Sequence, residues 1–244
     1  MPRTAFRRAL LALALVLGLG GAQAAPIVFE AGDPGIDVGD PTPLSNAAAA
    51  SFDAAAGALG TVNVIDLESA PLGTFASLAI APGVTASGLG FTGAATHSIR
   101  VGVVGDNRCG NVCGFNTTSP GRLYIDVDAN FITFSFDTPV QAFGAYITGL
   151  QLAGETVKFN DGVDQELVIT NFGSGAQFFG FTDAGAAISS IVIDTRNPSN
   201  TLGDFIGLDD IRYVTSAASV PEPATLALLG LALAGLATSR RRQR

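Results

Sequence analysis

The sequence is poor in the side chains from which most enzyme sites are built. It contains one histidine (His97), two cysteines, one lysine and no tryptophan. The patterns G-x-S-x-G, H-E-x-x-H and S-x-x-K do not occur. His97 follows a Gly-Ala-Ala-Thr turn, which predicts a surface residue rather than a catalytic base. Two carboxylates can hydrolyse a glycosidic bond, but the many acids single out no pair, so we expect a noncatalytic protein.

Basic residues are scarce away from the two chain ends. Between Ala25 and Ser219 the sequence has six Lys and Arg against twenty Asp and Glu, a net charge of −14. Such an acidic body repels nucleic-acid phosphates and anionic lipid headgroups, which argues against nucleic acid as a partner and favours divalent cations or neutral glycans. The lack of tryptophan argues against a broad aromatic platform for sugars, although Tyr124, Tyr146 and Tyr213 can still serve.

Long apolar runs occur only at the two ends of the chain. Residues 1–24 combine three arginines, an apolar run and the A-x-A site Ala22-Gln23-Ala24. This order predicts a secretory signal peptide that signal peptidase removes after Ala24. A membrane helix is disfavoured because the apolar run is too short to cross a bilayer core of roughly 30 Å.

Between the ends, the hydrophobic pattern predicts one all-β domain. Residues 25–60 are expected to form a Gly-, Asp- and Pro-rich loop over 26–43 and a short helix over Ala47–Leu59, which Ser45-Asn46 caps and which packs on a sheet. Over residues 61–215, short alternating runs separated by turns predict an antiparallel, jelly-roll-like β-sandwich. The predicted strands are Val62–Leu67, Val84–Phe91, Ser98–Val104, Arg122–Val127, Ile132–Phe136, Val140–Ile147, Thr156–Phe159, Glu166–Asn171, Gln177–Phe181, Ile188–Asp194 and Phe205–Val214.

The last segment, residues 216–244, has three parts in a fixed order. Pro221-Glu222-Pro223 precedes an apolar run, and Arg240-Arg241-Arg242 follows it. Fifteen apolar helical residues span roughly 22 Å, so this hydrophobic helix is a marginal anchor, and its arginines resist translocation. The arrangement resembles the PEP-CTERM sorting signal, which exosortases process. The resemblance implies transient insertion in the inner membrane and cleavage near Glu222; an anchor that is never cut is the alternative.

Short pieces of the body also resemble other PEP-CTERM proteins with a jelly-roll sandwich. They include Val64–Ser69, Phe134–Val140, Phe178–Phe181 and Ile206–Ile211. The resemblance implies a shape like that of lectins and carbohydrate-binding modules. We therefore expect an exported cell-surface or biofilm-matrix protein that is sorted by an exosortase and binds extracellular polysaccharide. A hydrolase on the same sandwich and a purely structural coat protein are the alternatives.

Four acids are candidate ligands for calcium, which takes carboxylate and carbonyl oxygens. Asp209 and Asp210 lie within a strand pattern, one expected on each face, so at least one points toward apolar neighbours and needs a partner. Calcium shared with Asp66 or Glu68 would supply it. An arginine such as Arg212 or Arg196, or a turn whose backbone donates hydrogen bonds, would do so as well.

Two further motifs have simpler interpretations. Asp126, Asp128 and Asn130 match the start of a calcium loop, but Phe131 stands where that loop needs glycine, so we expect a solvated strand face. Cys109 and Cys113 are close in sequence, and in an oxidising compartment they are expected to form a disulfide that pins their loop. Metal binding by the two cysteines is disfavoured because further ligands are lacking.

Overall fold

The computed structural model describes residues 25–102, 113–118, 120–171, 173–196 and 203–216. These residues form one helix and thirteen strands. In chain order the elements are β1 (Ile27–Asp33), α1 (Pro43–Gly57), β2 (Asn63–Ile65), β3 (Gly73–Phe75), β4 (Ser77–Ala81), β5 (Val84–Ser87), β6 (His97–Val101), β7 (Leu123–Val127), β8 (Phe131–Thr148), β9 (Thr156–Asn160), β10 (Asp164–Val168), β11 (Ala176–Thr182), β12 (Ile188–Asp194) and β13 (Ile206–Thr215).

Strand β8 joins the two layers of an antiparallel sandwich. Its first half, Phe131–Phe136, pairs with β5 and β12, and β9 and β10 extend that layer beyond β12. Its second half, Val140–Thr148, pairs with β11 and β13. The second layer continues through β1 on one side and through β2, β7, β6 and β3 on the other. The strands that pair with β8 change around Pro139, which has no backbone N–H to donate to a neighbouring strand. The predicted all-β fold is confirmed.

Aromatic side chains fill the space between the two layers. The rings of Phe159 in β9 and Phe181 in β11 stack with centroids 4.2 Å apart, and those of Phe134 and Phe143, from the two halves of β8, lie 5.5 Å apart. All four side chains are buried in one continuous core. The period-two pattern thus marks real inner faces, because alternate residues of a strand point to the same side.

Helix α1 packs on the outer face of the second layer, as predicted. Phe52 is fully buried, and its ring lies 5.5 Å from that of Phe178 in β11. The predicted cap was wrong, because Ser45 lies inside the first turn. Asp33, at the end of β1, accepts hydrogen bonds instead, from the N–H of Leu44 at 3.0 Å and from the N–H and hydroxyl of Ser45 at 2.8 and 2.7 Å. The positive end of the helix dipole also stabilises a carboxylate at this position.

The loop predicted over residues 26–43 was wrong in its first part. Ile27–Asp33 forms β1, which pairs along its whole length with β11. The turn residues that dominate this stretch, such as Gly35 and Gly39 with positive φ, begin only after the strand. The short strands β3 and β4 were not predicted either, because three to five residues give too few alternations to reveal a period.

Candidate functional site

Asp209 holds segment 113–118 onto the outer face of the second layer. Its fully buried carboxylate accepts hydrogen bonds at its Oδ2 from the N–H and hydroxyl groups of Thr117, at 2.9 and 3.0 Å, and of Thr118, at 3.2 and 2.9 Å. Burial, followed by the charge of Asp210, raises the pKa of Asp209 to about 6. The partner that this acid requires is therefore a turn whose N–H and hydroxyl groups donate to it.

Asp210 has a different partner, an arginine. The pairing of β13 with β8 shifts between Asp209 and Arg212, and Asp210 sits there with a φ of +45°. Arg212 donates to the Asp210 carbonyl at 2.8 Å and lies 3.7 Å from its carboxylate. The guanidinium also lies 5.2 Å from the Tyr146 ring on the helix side of the sheet. The expectation that the two acids face opposite sides was wrong, because this bulge turns both away from the inner core.

The other two candidate calcium ligands also bind backbone N–H groups. Glu68 accepts hydrogen bonds from the N–H groups of Arg122 at 2.6 Å and Leu123 at 2.8 Å. Asp66 accepts one at 3.2 Å from the N–H of Glu68 itself. Within the described residues, no group of three or more His, Cys, Asp or Glu side chains could hold a metal ion. The calcium site therefore stays a prediction to which this geometry adds no support.

His97 is buried, not on the surface as predicted. Its Nδ1 accepts the N–H of Asp128 at 3.1 Å, so its Nε2 carries the hydrogen and donates to the carbonyl of Phe131 at 3.0 Å. Burial lowers the pKa of His97, which favours this neutral form. Both ring nitrogens therefore join the end of β7 to the start of β8 and are not offered to a substrate.

A groove lies beside segment 113–118, on the outer face of the second layer. We call it the β6–β7 groove; it has a volume of about 520 Å³. Its lining consists of Thr74, Thr96, Arg100, Cys113, Gly114, Tyr124, Asp126, Asp128 and Phe205. Arg100 and Asp126 form an ion pair in the groove, and the Phe205 side chain, which is 45% exposed, lies at its edge. The groove thus combines planar polar groups with aromatic surface.

Two glycines let segment 113–118 lie flat along this wall. A Cβ at Gly114 would collide with the backbone of Gly207 in β13, and a Cβ at Gly102 would lie 2.7 Å from the Tyr124 ring. The backbone N–H and carbonyl of Phe115 are fixed by the hydroxyl of Thr148, at 2.8 and 2.9 Å. This wall of the groove is therefore anchored to the sheet at several points.

The D-x-D-x-N pattern proves to be a strand end followed by a turn. Asp126 and Asp128 are half-buried and line the β6–β7 groove, whereas the Asn130 amide donates to the Gly90 carbonyl at 3.0 Å. Tyr124, Asp126 and Asp128 are alternate residues and therefore share one face of the strand, but this alternation does not reveal Arg100 or Phe205. Arg100 is opposite Tyr124 in the antiparallel register, which the sequence alone does not specify.

Several predicted sites lie outside the described residues. These are the signal-peptide residues Ala22 and Ala24, Cys109 and therefore the Cys109–Cys113 disulfide, and the sorting residues Pro221, Glu222, Pro223, Arg240, Arg241 and Arg242. They stay predictions as far as the structure is concerned. In the part of the chain that the structure does describe, no helix is both long and apolar enough to cross a membrane.

Comparison with known proteins bears on the C-terminal segment. No curated protein matches the chain. Residues 219–242 match the model of the PEP-CTERM protein-sorting motif, which covers the Pro-Glu-Pro sequence, the apolar run and the arginines. The chain therefore carries the sorting motif of proteins that exosortases process and that are exported to the cell envelope or surface.

Proposed function

We propose that this protein is a noncatalytic component of the cell surface or extracellular matrix and binds polysaccharide in the β6–β7 groove. Signal peptidase removes residues 1–24, and the C-terminal helix holds the chain briefly in the inner membrane until an exosortase cuts it. The sorting motif over residues 219–242 supports export and exosortase processing. The chemistry of the groove supports the ligand.

The groove offers what a neutral sugar needs. Arg100 supplies N–H donors, and Asp126 and Asp128 supply carboxylate acceptors for hydroxyl groups. The exposed Phe205 ring offers apolar surface against which a sugar face can pack. The strongly negative charge of the body disfavours polyanions but does not affect a neutral glycan. The single observation on which this proposal rests is the Arg100–Asp126 pair beside the exposed Phe205 ring.

The position of the groove also suits a protein that is attached through its C-terminus. β13 begins beside the groove, next to Phe205, and ends at Thr215; Ser216 then donates its N–H to the Pro139 carbonyl at 2.7 Å. Ten strand residues span roughly 30 Å. Pro221 is only five positions beyond Ser216. The groove therefore lies at the opposite end of β13 from Ser216, the last described residue before the processing site.

Binding of the exported protein to the polysaccharides of its own host, on a glycan array, tests this proposal. We expect Arg100→Ala and Phe205→Ala to weaken binding at least tenfold. Lys158→Ala and Val168→Ala are matched controls, because they remove an ion-paired cation and an exposed apolar side chain from β9 and β10 of the other layer. They should leave binding unchanged.

The same samples separate the alternatives. Equal binding by the Arg100→Ala variant and the wild-type protein would refute the groove as the site. Absence of binding to every host polysaccharide would favour a structural coat protein. Shortening of the polysaccharide, lost in Asp126→Asn or Asp128→Asn variants, would replace the noncatalytic proposal with a hydrolase.

A further inference from the structure

A second, smaller cavity opens at the same end of the sandwich, on the other side of segment 113–118. We call it the Gln177 cavity; its volume is about 290 Å³. Ile147 and Leu150, both almost fully buried, and Ala176 line it with apolar surface. The exposed Leu44, at the start of α1, stands at its edge. The cavity is therefore a mainly apolar recess with room for a group of sugar size.

One polar group in this recess lacks a partner. The side chain of Gln177 is only 4% exposed, and its Nε2 makes no hydrogen bond. In β11, Gln177 is opposite Ile147 of β8, so its side chain emerges at the rim of the inner core. A buried donor without an acceptor costs about 1–3 kcal/mol. A ligand that offers an oxygen atom to this amide removes that cost.

We propose that the Gln177 cavity binds the acetamido group of an N-acetylated sugar. An acetamido group has a carbonyl that accepts from the Gln177 Nε2 and an N–H that can donate to an amide oxygen. Its methyl group matches the apolar surface of Ile147 and Leu150. The described residues that line the cavity include no Lys or Arg, and Asp33 stands in its wall, so a phosphate or a uronic acid is a poor fit.

This site is separate from the β6–β7 groove. A Cβ at Gly149 would collide with the backbone of Cys113. The backbone segments at these two residues, which lie between the two recesses, are therefore in close contact. Among the residues that the structure describes, none lines both cavities. The inference therefore does not require that the groove binds polysaccharide, and variants of one site leave the other intact.

Calorimetry and thermal unfolding of the exported protein, with N-acetylglucosamine as the probe, test the inference. We expect saturable binding and a melting temperature that rises with probe concentration, since a ligand of the folded state alone stabilises it. Glucose and glucosamine, which lack the acetyl group, should produce no shift. Gln177→Leu should abolish the shift without lowering the melting temperature of the unliganded protein, because it replaces an unpaired buried amide with an apolar side chain.

The controls make each outcome decisive. Gln165→Leu, a matched substitution in β10 on the other layer, and Arg100→Ala in the groove should both keep the response. A response that survives in Gln177→Leu overturns the assignment, as does an equal response to glucose. Binding of acetamide without binding of N-acetylglucosamine overturns the sugar as the source of the group. Failure of groove binding alone leaves this inference intact.

Discussion

Glu155, between β8 and β9, makes the stability of this protein dependent on pH in an unusual direction. Its side chain is fully buried, and no other residue donates a hydrogen bond to either carboxylate oxygen. Burial raises the pKa of Glu155 from 4.5 to about 7, and the nearby charge of Asp204 adds to the increase. The folded protein therefore holds this proton over a pH range in which the unfolded chain has released it.

The size of the effect follows from these two pKa values. Because the folded state binds more protons than the unfolded state between pH 4.5 and about 7, stability falls as the pH rises through that window. Each pKa unit corresponds to about 1.4 kcal/mol. From pH 5.5 to pH 8, Glu155 alone is expected to reduce the free energy of unfolding by about 2 kcal/mol. In a domain of this size that lowers the melting temperature by about 4–8 °C.

The substitution Glu155→Gln isolates this contribution, because glutamine has nearly the same shape and does not titrate. Thermal unfolding followed by circular dichroism from pH 5.5 to 8 should show a smaller fall in melting temperature for the variant than for the wild-type protein. Asp183 and Asp209, whose pKa values burial raises to about 6, titrate equally in both proteins, so the difference reports Glu155. Glu166→Gln, at an exposed position in β10, is the matched control. Parallel pH profiles for Glu155→Gln and the wild-type protein would refute the reasoning.

Three other predictions concern two contacts that anchor segments to the sheet and the processing of the two chain ends. Thr118→Val removes one hydroxyl bond to the buried Asp209; it should lower the free energy of unfolding by about 1–3 kcal/mol in urea denaturation and weaken groove binding. Thr61→Val, at an exposed position outside the groove, should lower the free energy of unfolding less and leave binding unchanged. Asp33→Ala removes the acceptor at the start of α1 and should cost about 1–2 kcal/mol by the same assay, more than Asp37→Ala. The intact mass of the exported protein should correspond to a chain that begins at Ala25 and ends near Glu222, and a full-length mass would contradict both cleavages.

The two halves of β8 illustrate what the sequence can and cannot predict. Both were predicted as strands, because Ile132–Phe136 and Val140–Ile147 are apolar runs of strand length. That they form one strand shared by two layers depends on the long-range partners β5, β12, β11 and β13. A local pattern contains no information about which distant strand supplies the ladder. The fold class was therefore predictable, whereas the connection between the layers was not.

The site residues were harder to predict for a related reason. Asp209 was correctly identified as an acid in need of a partner, but its donors, Thr117 and Thr118, are about ninety positions away in the chain. His97 was placed on the surface because its local sequence is a turn, yet the carbonyl of Phe131 and the N–H of Asp128 enclose it. In each case the sequence shows the chemical requirement of one side chain, and tertiary contacts decide how it is met.

The position of segment 113–118 links the sorting signal to the proposed binding sites. Asp209, near the middle of β13, holds this segment between the β6–β7 groove and the Gln177 cavity, and the same strand ends at the stretch that leads to Pro221. β13 is itself fixed on both sides, since it pairs with β8 on one side and with β2 and β7 on the other. The strand that leads toward the sorting motif therefore also carries, at Asp209, the contacts that fix the segment between the two recesses.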